Sequence, residues 1–415
     1  MERKLNFHYA SVHGAYWMYY GVLGGFSSVF LLAKGYSNSE IGVILAAGNI
    51  LAVLIQTVLA GFADKGRKGT IFLISGGITL LNLALSTMMI FQSGRSLVLT
   101  VLFTSCFGLI MANQPFINAI NRRLEECGVS IAFGTCRSIG SLAYAVICFF
   151  LGTLVEAKGP EILPLVGNGV LLLIILTVYL TYRAYKIGIA RNREDLNQVQ
   201  TNPGEGLVAK DPEKPKEEIT LQDFIQKNKM FFVMSLGVLG LYFANTIPNA
   251  YMAQIVDNIG GTSEDVGRIF AYLAITEIPT LVLFDRLYQR FSCQSMLKFA
   301  SVGYVIWIGA CGLARSVGML SLAQLLHFFS FPLFLPAMVR YIDDNMREGE
   351  AVRGQTLFMV MTTLGNMLAS LVGGVLLDMW GANLLMTAGV VAAVIGAVII
   401  WLMVGRDKNK VKPAA

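Results

Sequence analysis

Runs of about twenty consecutive apolar residues recur from one end of this chain to the other, and no other feature restricts its fold as strongly. Coiled as a helix, a run of that length crosses a hydrocarbon layer about 30 Å thick. Within such a layer only helices and closed barrels satisfy every backbone N–H and C=O. These runs are continuous rather than alternating in ten-residue segments, so they predict helices and not a barrel. Hydrophobic residues make up 55% of the 415 and charged residues 14%, where a soluble chain carries about 25% charged. The expected fold is an all-α membrane protein with twelve transmembrane helices, at 8–33, 39–62, 70–92, 97–121, 131–155, 163–186, 230–256, 264–285, 295–313, 317–341, 354–377 and 382–404. The stretch behind Met1 to Lys4 lacks a small-residue cleavage site and reads as the first span rather than a signal peptide.

A net charge of +6 could suggest a nucleic-acid partner, but its distribution points to topology instead. With the N-terminus placed in the cytoplasm, 26 of the 32 Lys and Arg fall in cytoplasmic segments. Five fall outside (Lys34, Arg95, Lys158, Arg268 and Arg315), and Arg137 lies within a span. This bias puts both termini in the cytoplasm by the positive-inside rule, with the lipid bilayer rather than nucleic acid as the positive charge's partner. The expected location is a bacterial cytoplasmic (inner) membrane. The six cysteines show neither metal nor disulfide spacing and read as packing residues. No metal site and no cofactor is expected.

The longest loop divides the chain into a bundle of six helices at 1–186 and another at 230–404, with a linker at 187–229 and a tail at 405–415. The linker's middle, QVQTNPGEGLVAKDPEKPKEEIT, is polar and solvated in character. The LQDFIQKNKMFF that follows suits a short amphipathic helix. An internal repeat supports the division. The fifth span ends LGTLVEAKG and the eleventh VGGVLLDMWG, sharing a small-x-Leu-x-acid-x-x-Gly pattern at the external face. Two pseudo-symmetric halves of this kind place a solute site at their interface near mid-membrane.

Between the second and third spans stands GFADKGRKGTIFL, residues 61–73. It resembles the G-x-x-x-D-R-x-G-R-R signature of the major facilitator superfamily, shortened by one residue. The resemblance marks Gly61, Asp64, Lys65, Arg67 and Lys68 as a conformational motif at a tight turn. Within that superfamily the chain is most similar to the lactose-permease-like and phenylpropionate-permease-like group. FGTCRSIGS, GRIFAYLAITEIP and QLLHFFSFPLFLPAMVRYI resemble that group's fifth-, eighth- and tenth-span segments. By that resemblance Arg137, Glu277 and His327 match functional positions. Departures are equally informative: Asn118 and Ser330 stand where lactose permease has glutamates, and Asn245 and Asn366 where it has a charged pair. Lactose specificity and the group's coupling carboxylate therefore do not transfer.

Burying a charge in a span costs at least ~2.5 kcal/mol, so such a residue faces a cavity or a partner. Arg137 and Glu277, one from each half, suit a central pair that a proton or solute could break. His327 could relay a proton or hold a hydroxyl. On the first span Tyr9, His13, Tyr16 and Tyr20 follow helical spacing, with Trp17 adjacent. Rings with polar tips suit sugar or aromatic solutes. Gln114 and Asn118 on the fourth span, Asn245 and Asn249 on the seventh, and Asn366 on the eleventh add neutral amides.

These residues point to a proton-coupled symporter importing a neutral polyhydroxylated solute, such as a sugar or glycoside, as a functional monomer. Aromatic carboxylates, nucleosides or drug export are alternatives within transport, and a non-transporting receptor or scaffold is one outside it. No nucleophile–base set or phosphate-binding glycine loop suggests an enzyme, so no catalytic residue is expected.

Overall fold

The computed structural model describes residues 1–66, 69–200, 221–346 and 350–405, and the regular structure among them is helical. The first crossing is interrupted: α1 (Glu2–Tyr20) passes through a π turn (Gly21–Gly25) into α2 (Ser27–Ala33). The next crossings are α3 (Asn38–Lys65), α4 (Thr70–Met89), α5 (Leu97–Glu125), α6 (Phe133–Lys158) and α7 (Ile162–Gln200). A short α8 (Leu221–Lys227) tucks in the fully buried Phe224 ahead of α9 (Lys229–Asp257). Then come α10 (Ser263–Arg290) and α11 (Cys293–Leu313). The tenth crossing is again broken, into α12 (Val317–Ala323), a 3₁₀ turn (Gln324–Phe329) and α13 (Phe331–Asn345). The last helix, α14 (Ala351–Met403), holds two crossings: Gly381 sits at φ 76° and ψ −178°, a reversal only glycine makes without strain.

Ten helical stretches among the described residues are long and apolar enough to cross a membrane, α14 counted once. Helix α14 reverses at Gly381, and the interrupted 2–33 segment is not among the ten. Three sequence expectations change. The first span begins at Glu2 rather than residue 8 and is not one continuous helix. Likewise the tenth is not uniform. Helix α7 runs to Gln200, past the expected linker start at 187. Residues 201–220 of the linker and 406–415 of the tail lie outside the described residues.

Two helical bundles result, each with its core between neighbouring helices. They meet along two seams, α6 against α10 and α3 against α14, with α2 also touching α9. Polar contacts across the seams cluster at the face opposite the chain termini. There Asp378 accepts from Ser39 N at 2.7 Å, Glu156 accepts from Ser263 N at 3.1 Å, and Gln254 Nε2 donates to Asn38 Oδ1 at 2.8 Å. Ser28 donates to the Ala250 carbonyl near the same face. The six cysteines are free and buried.

Candidate functional site

Below that closed face the two halves enclose a cavity of about 380 Å³. A ligand site is expected at this place, between the bundles and away from either surface. Its walls come from α1, α3, α5 and α6 on one side and from α9, α10, α14 and the broken tenth crossing on the other.

The charged centre is on the α6–α10 seam. Arg137 lies one turn before Ser141 on α6, so both point into the same wall. Arg137 Nη1 donates to Ser141 Oγ at 2.9 Å, and Ser141 Oγ donates in turn to Glu277 Oε2 on α10, also at 2.9 Å. The guanidinium stacks on the Trp17 indole, its Cζ 3.8 Å from the ring centroid, a cation–π contact of about 0.5–2 kcal/mol. Sequence reading anticipated a pair of opposite charges, whereas the structure shows a three-member chain with a hydroxyl in the middle. Ser141 was missed because a serine in a span carries no signal by itself. Its position four residues after Arg137 was the one available clue. Among the cavity-lining residues Glu277 is the one carboxylate and Arg137 the one guanidinium.

Neutral polar groups line the rest. Trp17, Tyr20, Gln114, Asn245, Asn249 and Asn366 all reach the cavity, joined by Asn49, Gln56, Thr246 and Thr362. Asn366 Oδ1 accepts from Thr246 Oγ1 at 2.7 Å, tying α14 to α9. The Oδ1 atom of Asn245 is buried with no partner within the protein. A buried amide oxygen left unpaired costs about 1–3 kcal/mol, which a solute hydroxyl could recover. Pro248 inside α9 and the non-helical Tyr251 (φ −125°, ψ 25°) bend this wall.

His327 lines the cavity at the 3₁₀ turn. Pro332 has no N–H to donate, so the carbonyls before it need other donors. Thr280 Oγ1 donates to the Phe328 carbonyl, four residues before the proline, at 3.2 Å, while the His327 carbonyl takes both the Ser330 N–H at 3.0 Å and Ser330 Oγ at 2.9 Å. The imidazole packs 4.5 Å from the Trp307 ring and 6.1 Å from Phe331, with Nδ1 unpartnered.

Three expected solute contacts are placed elsewhere. His13 is buried in an apolar slot between Tyr9, at 4.8 Å, and Phe133, at 5.9 Å, with both ring nitrogens unpartnered. Tyr16 donates to the Ile110 carbonyl of α5 at 3.1 Å, and the Asn118 carbonyl accepts from Tyr9 at 3.1 Å. None of the three lines the cavity. The stripe Tyr9–His13–Tyr16 is thus the packing face of α1, and the cavity receives the face one residue around, Trp17, Tyr20, Gly24 and Ser27. Both faces have the same aromatic periodicity, so spacing alone did not separate them. Of the turn motif, Gly61 is exposed on α3 and Asp64 and Lys65 close that helix in backbone. The side chains of Asp64 and Lys65, and the whole of Arg67 and Lys68, lie outside the described residues.

Two helical bundles around a central polar cavity define a secondary transporter of the major facilitator fold, a class of solute carriers rather than enzymes. The chain belongs to the MFS_1 like family, which it matches over residues 9–388. It is similar to the maltose permease of Geobacillus stearothermophilus, 22% identical over 396 residues that cover 94% of this chain and 92% of that one. It is also 22% identical, over 85% of each chain, to a probable 3-phenylpropionic acid transporter of Escherichia coli (strain K12). Among solved structures, the nucleoside transporter NupG superposes with a TM-score of 0.73 at 14% identity, covering 96% of this chain and 98% of NupG. A bacterial homologue of the lysosomal transporter Spinster gives 0.64 at 13% identity, covering 100% and 99%. These last two likenesses concern fold alone.

Proposed function

We propose that this protein is a proton-coupled symporter that imports a neutral polyhydroxylated solute, such as a sugar or glycoside, by alternating access. It works as a monomer in a bacterial cytoplasmic membrane with both termini in the cytoplasm. The halves 1–186 and 230–404 are the moving bodies, and they rock about the cavity between them. The observation that carries the reading is the chain Arg137–Ser141–Glu277 across the seam, set in a wall of amides, hydroxyls and aromatic rings.

Ionised Glu277 accepts a charge-assisted hydrogen bond from Ser141, about twice as strong as the neutral bond left after protonation. Taking up a proton therefore weakens the mid-depth tie between the halves. A neutral polyol can then bridge them through Asn245, Asn249, Gln114 and Asn366, with Trp17 and Tyr20 against its apolar faces. His327 borders this path and is placed to relay the proton or hold a hydroxyl. The maltose permease relative supports a sugar.

One observation favours a second reading. Arg137 and Glu277 make no direct ion pair, so the guanidinium could receive a solute carboxylate, in keeping with the relative named for 3-phenylpropionic acid. Thermal unfolding of the detergent-purified protein with sugars, nucleosides and aromatic acids at two pH values separates them. A ligand at 100 times its Kd adds about 2.7 kcal/mol of apparent stability. Stabilisation by a neutral glycoside that Glu277→Gln uncouples from pH supports the sugar symporter. Stabilisation by carboxylates alone transfers Arg137 to the solute and ends the first reading.

A further inference from the structure

The repeated pattern at the ends of the fifth and eleventh spans takes no part in the cavity, yet the structure gives both copies the same task. Gly152 and Glu156 on α6 and Gly159, its C-cap, correspond to Gly374, Asp378 and Gly381 on α14. Each acid lies beside the first turn of a helix from the opposite half. Asp378 Oδ1 accepts from Asn38 N at 3.2 Å and Asn38 Nδ2 at 2.9 Å, and its Oδ2 from Ser39 N at 2.7 Å and Ser39 Oγ at 2.5 Å. Glu156 Oε2 accepts from Ser263 N at 3.1 Å.

Both receiving helices already carry their own capping box, Ser37 with Glu40 on α3 and Thr262 with Asp265 on α10. A capping box satisfies the N-cap and third-position donors and leaves others of the first turn open. Those are the donors the opposite half supplies an acid for, with the helix N-terminal partial charge favouring the anion. The small residues one turn earlier allow the approach. A Cβ on Gly374 would run into the Asn38 carbonyl, and Gly152 lies against the Ser263 and Glu264 carbonyls. Caps normally come from the neighbouring chain. Here both span a seam that must part.

We propose that Glu156 and Asp378 are a symmetry-related pair of cross-half helix caps that hold the pathway shut at this face, and that both must release for it to open. They are positioning residues, far from the solute. The proposal rests on the alternating-access reading but not on the identity of the solute or coupling ion. Opening strips both helix starts of an anion together, so the two caps act as one latch.

The test uses the full-length protein in nanodiscs with spin labels at Ser93 and Arg315, exposed positions in opposite halves at this face. A second label pair, Glu125 and Arg290, reports on the opposite face. Asp378→Asn and Glu156→Gln should each raise the long-distance population of the first pair roughly fivefold, with a matching short-distance rise in the second. The double variant should exceed either single one. No shift, or broadening of both pairs without that reciprocity, overturns the latch and leaves two local caps. If the acid variants do not fold, Ser39→Ala removes one donor while keeping the helix start. A smaller shift of the same sign sustains the proposal, and none overturns it. Because no transport is measured, a failed solute assignment would leave this result standing.

Discussion

The two seams between the halves are built alike at one end and unlike in the middle. At the closed face each has an acid, Glu156 or Asp378, on the first turn of a helix from the other half. At mid-depth the α6–α10 seam carries Arg137, Ser141 and Glu277, while the α3–α14 seam presents only neutral groups such as Asn49, Gln56, Thr362 and Asn366 to the cavity. The parts that repeat are contacts both seams share, and by the latch proposal they hold this face shut. The part that does not repeat carries the charge, Arg137 and Glu277 with Ser141 between them.

The largest expected effects break this asymmetry at its charged side. Glu277→Gln keeps an acceptor for Ser141 but cannot ionise. Solute accumulation in vesicles should fall roughly 10- to 100-fold while counterflow persists. Retained accumulation would remove Glu277 from coupling. Arg137→Gln leaves Glu277 without its counter-charge and should lower unfolding stability by about 3 kcal/mol. The double variant with Glu277→Gln should regain most of that loss in a thermal double-mutant cycle, whereas additive losses would mean the two residues do not act through one chain.

On the neutral side, Asn245→Ala and Asn366→Ala should each raise the KM for uptake about tenfold with little change in maximal rate, as expected for a group that binds solute without coupling it. An equal fall in rate would instead make these amides part of the conformational step. The smallest effect should come from outside both seams. His13→Leu removes two unpaired buried nitrogens and should leave KM unaltered while raising stability by up to about 1 kcal/mol. A raised KM would return His13 to the solute path.

Much of the fold was legible because lipid demands it. A helix that crosses a membrane must be long, apolar and free of stray charge, and those properties belong to contiguous residues such as 97–121. The two broken crossings were harder to read. Gly21 to Gly25 and Gln324 to Phe329 are apolar enough to pass for plain helix, and only packing neighbours such as Thr280 show where the freed carbonyls are satisfied. Within the site, Arg137 and Glu277 stood out in the chain itself because an uncompensated charge in a span is costly. Asn118 and Tyr16 looked equally suitable as solute contacts, yet Tyr16 turns to the Ile110 carbonyl of α5, Tyr9 meets the backbone carbonyl of Asn118, and neither Tyr16 nor Asn118 lines the cavity.

Local chemistry along the chain was therefore enough to decide that this protein spans a membrane, that it divides into two related halves, and which two charges lie deep. The repeated acid-and-glycine pattern was visible too, as a pattern without a purpose. Which face of each helix meets the cavity, that a serine stands between the two charges, and that the repeated acids reach across to the opposite half all depend on how helices far apart in sequence are rotated and set against one another. Residues 39 and 378 have no reason to be neighbours until both bundles have packed, because the forces that join them act over a few ångströms and the chain between them runs the length of the protein.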